Sequence, residues 1–265
     1  MGNLFNSKIK MKLTYHTDFP ERLRFHQEMI DEFIKQGCEI VSDGDVVLNV
    51  DSIHTKGIKK GKKLTIYWEW DNYMSLGKNK ELYDQANIVY VGAKFYLPFY
   101  PPGTKVLYTS VNPERIKEID VPKFDYIYVG SIEPLPVYED RIKTLDGLLR
   151  SGREVFITYG SQDDYVKNLS RGKIILNILP KAFGYTCVNL KVYEAMAVGC
   201  LMTDYNPILD EIAEKDIHYL TLDKFGQVSD EEIKSIKQAS REHILKNHTI
   251  AHRVQQVIKD IQERL

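Results

Sequence analysis

Along the 265 residues two rhythms of apolar and polar positions take turns. From Ile9, IKMKLTYH has the density of β-formers expected of a strand. In the next stretch, TDFPERLRFHQEMIDEFIKQG, Leu23, Ile30 and Phe33 or Ile34 share one helical face; Asp18 can cap, Pro20 suits a first turn and Gly37 ends the helix. CEIVSDG, DVVLNVD and KLTIYWEW read as further strands, NKELYDQA as a helix and NIVYVG as a strand. The pattern dissolves at AKFYLPFYPPGT, returns for KVLYTSV and turns polar through NPERIKEIDVPK. A second alternation follows: strands FDYIYVGS, REVFITYG, KIILNILP and CLMTDY, with helices YEDRIKTLDGLLRSG, DDYVKNLS and CVNLKVYEAMAVG between them.

Strands alternating with helices predict parallel sheets covered on both faces. The predicted class is therefore α/β, with two tandem Rossmann-like domains parting in the polar stretch near Val111 to Lys123. The expected spans are 1–118 and 119–248. A helical tail closes the chain. Ser229 and Glu232 form a capping box, and Thr249 caps a last helix, 249–265, whose stripe is Ile250, Val254, Ile258 and Ile261.

Composition narrows the function classes. A net charge of -1 and a pI near 6.7 give no general attraction to polyanions, so contact with nucleic acid or a membrane surface would need a local patch. Cys38, Cys187 and Cys200 are an odd number without metal-ligand spacing, each beside apolar neighbours, and read as reduced core residues. The opening MGNLFNSKIKMK has no apolar signal region, and no apolar run is long enough to span a bilayer. The expectation is a cytoplasmic protein.

Candidate chemistry gathers in two places. In NLKVYEAMAVGCLMTD a carboxylate, Glu194, stands beside the apolar run Ala195 to Val198, where a charge is either paired or used. The helix follows the loop PKAFGY, which carries Gly184 and Tyr185. Its start, near Thr186 and Asn189, offers free N–H groups and a macrodipole that favour phosphate. The pattern alone admits two readings: a nucleotide diphosphate along this helix, or a core helix whose Glu pairs with a Lys or Arg.

In the first half, ligands of an α/β sheet collect beyond the carboxyl ends of the strands, here His16 with Asp18 and the run YWEWDNY. Trp68, Trp70 and Tyr73 beside Glu69 and Asp71 suit a sugar or base by stacking and hydrogen bonding; a packed Trp pair with Asp71 as a cap is the alternative. For an inverting reaction Asp71 is the candidate general base, with His16 behind it. The lysines from Lys56 to Lys63, Lys59 and Lys60 among them, are either a solvated loop or a patch for a polyanionic acceptor such as DNA. Asp43-Gly44-Asp45 reads as a turn more simply than as a metal-binding Asp-x-Asp. No metal site is expected from the late histidines.

NLKVYEAMAVGCLMTDY resembles the donor-binding motif of GT-B glycosyltransferases, closest to the spore-maturation-type branch of the group 1 transferases. YIYVGS, Arg141, VFITYG, KIILNIL and REHILKNHTIAHR follow in that family's order, from Phe124 to Arg253. The resemblance implies a metal-independent, retaining transfer from a nucleotide-diphosphate sugar, a UDP-sugar first, to an acceptor in the cleft between the modules, with no tightly bound cofactor and the last helix packing back on the first module. It also implies a donor site of Glu194, Lys191, Asn189, Thr186, Tyr185, Gly184, Arg141, Ser131, Gly130 and Tyr159. The chain departs from the family at Thr186, where many members carry an earlier Glu, and at Ser131, where an Arg is usual. Arg141 and Lys191 are then the candidates for diphosphate charge, against the alternative of plain surface charges. A nucleotide-sugar-binding protein without turnover is the rival from another class.

Overall fold

In the computed structural model, residues 11–17, 24–51, 57–69, 79–116, 121–159, 162–179 and 188–265 are described. They form two compact units, one of residues 1–108 with 250–265 and one of residues 109–249.

The first unit is built on strands β1 (Lys12–His16), β2 (Glu39–Ile40), β3 (Val46–Asp51), β4 (Leu64–Glu69), β5 (Ile88–Val91) and β6 (Lys105–Val106). They pair in the order β2-β1-β3-β4-β5-β6, every pair parallel. Helices α1 (Arg24–Lys35) and α2 (Lys80–Tyr83) belong to it, as does the last helix. The central strand β4 is buried at all of its positions. A strand covered on both faces has no polar side, and this is why LTIYWE does not alternate. The segment from Lys94 to Phe99, where the sequence pattern dissolves, is a 3-10 turn with Pro98 inside it.

Asp43-Gly44-Asp45 is a turn leading into β3, and it must be tight. A Cβ on Gly44 would lie 2.7 Å from the Lys12 carbonyl oxygen and 2.9 Å from the Thr14 nitrogen, so no side chain fits between the turn and β1.

The second unit repeats the plan with β7 (Phe124–Val129), β8 (Val155–Thr158), β9 (Gly172–Asn177), β10 (Cys200–Thr203) and the short edge β11 (Leu220–Thr221), ordered β11-β10-β9-β7-β8 and again all parallel. Its helices are α3 (Glu139–Arg150), α4 (Gln162–Leu169), α5 (Leu190–Val198) and α6 (Asp230–Asn247). Tyr126, Tyr128, Leu176 and Met202 on the sheet, with Ile178 just past β9, pack with Leu145 of α3 and Ile236 of α6 into one core cluster. Ser229 caps α6 by accepting from the Glu232 N–H, as the capping box predicts.

The last helix, α7 (Ile250–Gln262), lies in the first unit. Asp260 of α7 accepts from Tyr90 Oη at 2.5 Å and pairs with Lys105, which ties the helix to β5 and β6. Its buried stripe is Ile250, Val254, Val257 and Ile261, with Val257 in the place expected of Ile258. The architecture is the predicted α/β class with two Rossmann-like parallel sheets. No helix among the described residues is long and apolar enough to cross a membrane.

Candidate nucleotide site in the second unit

Two cations of the second unit converge beyond the carboxyl ends of β7 and β9. Arg141 of α3 reaches over from its helix: Nε donates to the Ile178 carbonyl at 3.0 Å and Nη1 to the Ser131 carbonyl at 3.0 Å. Its guanidinium also lies over the rings of Tyr138, at 4.6 Å, and Tyr128, at 5.8 Å. Lys191, in the first turn of α5, donates from Nζ to the Val129 carbonyl at 2.6 Å and sits 4.3 Å above the Tyr128 ring. Where β7 ends, Gly130 has a φ of 156°, which L side chains rarely adopt, and a Cβ there would also lie 2.9 Å from the Tyr128 hydroxyl.

Neither Arg141 nor Lys191 has a carboxylate partner among the described residues; both are answered by backbone carbonyls and aromatic faces. Such neutral dipoles leave the charge in place. Burial, and after it the nearby Arg141, lowers the Lys191 amine from its usual value to about 7. Tyr165 of α4 feels both Arg141 and Arg115, and its hydroxyl is pushed up chiefly by burial.

Asn189 stands at the N-cap of α5 without a side-chain capping bond, and its Oδ1 is buried with no hydrogen-bond partner among the described residues. The start of this helix therefore keeps unspent capacity for a polar ligand.

Glu194 lies one turn further along α5, 2% exposed. Its Oε1 is paired with Nη2 of Arg115. Arg115 and Arg141 are both felt by Tyr165, and Arg141 is felt by Lys191, so among the described residues these three cations follow one another along this side of the unit with Glu194 as the one carboxylate paired to any of them. Arg115 is the member that sequence reasoning did not single out. It falls in the polar run NPERIKEIDVPK, which reads as a boundary; the available signal was the Asn112-Pro113 turn just ahead of it.

The remaining predicted donor residues divide. Ser131 is at the cluster through its carbonyl, which accepts from Arg141, while the Gly130 N–H beside it donates to the Thr158 carbonyl of β8 at 3.1 Å. Tyr159, at the end of β8, is 77% exposed. Gly184, Tyr185 and Thr186 lie outside the described residues.

In the first unit His16 ends β1, half-buried and in register with Asn49 of β3. Asn49 Oδ1 accepts from the Lys59 N–H at 2.8 Å and its Nδ2 donates to the Lys59 carbonyl at 3.0 Å, so this asparagine folds the lysine loop back onto the sheet. The loop's charges are answered locally. Lys59 Nζ donates to the Ser42 carbonyl and Lys60 Nζ to the Gln85 carbonyl, while Lys62 pairs with Asp43 at 2.8 Å and Lys63 with Asp45 at 3.2 Å.

Glu69, at the end of β4, is 0% exposed, and its carboxylate accepts from Asn79 Nδ2 at 2.8 Å, Tyr83 Oη at 2.8 Å and Tyr100 Oη. A carboxylate enclosed by three donors holds structure together and offers no face to a substrate proton. Trp68 is also fully buried, with Nε1 donating to the Leu107 carbonyl at 3.0 Å, so its ring is core and not a stacking surface. Trp70, Asp71 and Tyr73 lie outside the described residues. Among those described, no group of three or more His, Cys, Asp or Glu is arranged to hold a metal ion.

The profile of a family described as glycosyl transferase-like matches residues 116–259. Solved structures share the fold over nearly the whole chain. HepE from Anabaena, solved with UDP-glucose, superposes with a TM-score of 0.64 at 8% identity, covering 96% of this chain and 100% of its own. A sucrose-phosphate synthase from Thermosynechococcus elongatus gives 0.62 at 8%, covering 96% and 98%. A glycosyltransferase from Rickettsia africae ESF-5 gives 0.56 at 10%, also covering 96% and 98%. No curated protein matches the chain. At these identities the likeness to the solved structures is one of fold.

Proposed function

The chain belongs to the glycosyl transferase-like family, and from that premise we propose that its second unit holds a nucleotide-diphosphate sugar, a UDP-sugar first, and that its first unit receives the acceptor. The observation that carries this reading is the excess of cations near the start of α5: among the described residues Arg141 and Lys191 are met by carbonyls and aromatic faces, and only Arg115 has a carboxylate. A diphosphate supplies the anion this cluster lacks. The crystal form of HepE with UDP-glucose supports the choice of donor class.

In this reading the diphosphate lies against Lys191, Arg141 and the first turn of α5, and Glu194 meets the ribose hydroxyls. During transfer the bond from the glycosyl carbon to the phosphate oxygen breaks, a bond to the acceptor oxygen forms, and charge builds on the departing diphosphate. Arg141, Lys191 and the helix start stabilise that charge where it develops. The acceptor proton passes to the departing phosphate oxygen on the same face, so that configuration is retained and neither an enzyme nucleophile nor a metal is called for. Membership of the spore-maturation-type branch belongs to the same proposal and rests on the motif order between Phe124 and Arg253.

Incubation with a panel of nucleotide sugars tests the reading. Slow release of the nucleoside diphosphate from one donor, faster when an acceptor is supplied, is expected. Binding with no release from any donor would favour a nucleotide-sugar-binding protein, and neither binding nor release would end the proposal.

A further inference from the structure

The pair of Arg115 and Glu194 has a feature that charge counting leaves out: the turn presenting Arg115 is itself locked in place. Val111 N–H donates to the His248 carbonyl at 3.0 Å, and Val111 forms a parallel bridge with Thr249. Asn112 Oδ1 accepts from the Glu114 N–H at 3.0 Å, and the Asn112 carbonyl accepts from the Arg115 N–H at 3.1 Å, which closes the turn. On its far side the Ile116 carbonyl accepts from Arg241 of α6 at 3.3 Å. The same guanidinium also donates to the Ala197 carbonyl near the end of α5. The turn is thus fixed to the helix that carries Glu194 as well as to the chain just before α7.

We propose that Arg115 is a positioning residue for nucleotide recognition: it holds the Glu194 carboxylate ionised and oriented so that this carboxylate can accept hydrogen bonds from the hydroxyls of a ribose. The inference rests on the reading of Glu194 as the ribose ligand and adds to it the residue that makes such a ligand workable. A carboxylate whose side chain is 3% exposed is costly to keep charged by itself, because burial favours the neutral acid. A protonated acid spends one oxygen as a donor and accepts poorly. An adjoining guanidinium, here with its own side chain 14% exposed, offsets the burial and pairs with one oxygen of the carboxylate. The carboxylate then accepts from the ligand with its remaining lone pairs. A site built in this way discriminates sharply against a sugar that lacks a hydroxyl, because the buried acceptor is then left unpaired.

Calorimetric affinities for UDP, 2′-deoxy-UDP and 3′-deoxy-UDP, measured with the full chain and with Arg115→Gln, Arg115→Lys and Glu194→Gln, test this. The wild type should prefer UDP over the weaker deoxy analogue by about tenfold or more. Arg115→Gln and Glu194→Gln should bring that ratio to within about twofold while the binding of UDP itself persists. Arg115→Lys, which keeps the charge and loses the planar fork, should fall between. A purely structural role for Arg115 would lower thermal stability and leave the ratio alone. A wild-type ratio in folded Arg115→Gln overturns the inference. If that variant does not fold, a wild-type ratio in Arg115→Lys overturns it and an intermediate one supports it. A wild type that binds UDP and both analogues equally removes the ribose role of Glu194 and this inference with it, leaving the diphosphate site standing. A wild type that binds no UDP removes the donor site as a whole.

Discussion

The two units answer their charged groups in opposite ways. In the first, Glu69 is enclosed by Asn79, Tyr83 and Tyr100, and the lysines of the loop before β4 are met by Asp43, Asp45 and carbonyls. In the second, among the described residues, Arg115 pairs with Glu194 while Arg141 and Lys191 are met by carbonyl dipoles and aromatic faces and by no carboxylate. A saturated cluster is costly to disturb and asks nothing of a ligand. A cluster with surplus charge is tolerable because of its partial partners, and it gains further from an incoming anion. On this contrast the proposal assigns affinity for a phosphorylated ligand to the second unit.

The largest effect expected separates affinity from stability. Replacing both Arg141 and Lys191, by Ala and Met, should lower UDP affinity by about 100-fold, or about 3 kcal/mol, with a thermal midpoint close to that of the wild type. Calorimetry beside a melting curve reads both, and a lost fold with unchanged affinity per folded molecule would reverse the assignment. The mirror experiment is Glu69→Ala, which leaves two tyrosine hydroxyls and an amide without their acceptor. It should cost about 2 kcal/mol of stability in denaturant titration and leave UDP affinity as it was.

A smaller effect comes from pH. Lys191 has its folded value lowered to about 7, against 10.5 for an ordinary lysine. Between those values the unfolded chain carries the extra proton, so this group's contribution to stability rises with pH through that window and is lost as pH falls through about 7. UDP affinity should run the other way, falling about tenfold from pH 7 to 9 as the cation is lost, and Lys191→Met should flatten both dependences. The smallest effect lies on the surface. Removing Lys62 or Asp43, both exposed, should leave the melting temperature and UDP affinity unmoved, since such pairs are screened by solvent.

The same contrast shows what the sequence can and cannot say. Alternating periods gave both parallel sheets, because a strand or helix pattern is local. Glu194 was legible as an oddity, a charge beside Ala195 to Val198, and the pattern offered a paired carboxylate as one of two readings; the structure supplies Arg115 as the partner. Arg115 itself was hidden, since its role depends on a turn fixed by His248, Thr249 and Arg241, all more than a hundred residues away. Trp68 and Glu69 point to a different blind spot. Aromatics and acids at a strand end look alike whether they face a ligand or the core, and only the burial of β4 on both faces distinguishes the two. The lysine loop read first as a solvated run, with a patch as the alternative, and its pairing with Asp43 and Asp45 depended on a turn whose partner strand could not be named in advance.

A crystal structure of the protein with UDP bound tests the central claim most directly. The account predicts diphosphate oxygens within about 3 Å of Lys191 Nζ, the Arg141 guanidinium and the first N–H groups of α5. A nucleotide seated elsewhere, with Arg141 and Lys191 still turned to their carbonyls, would contradict it.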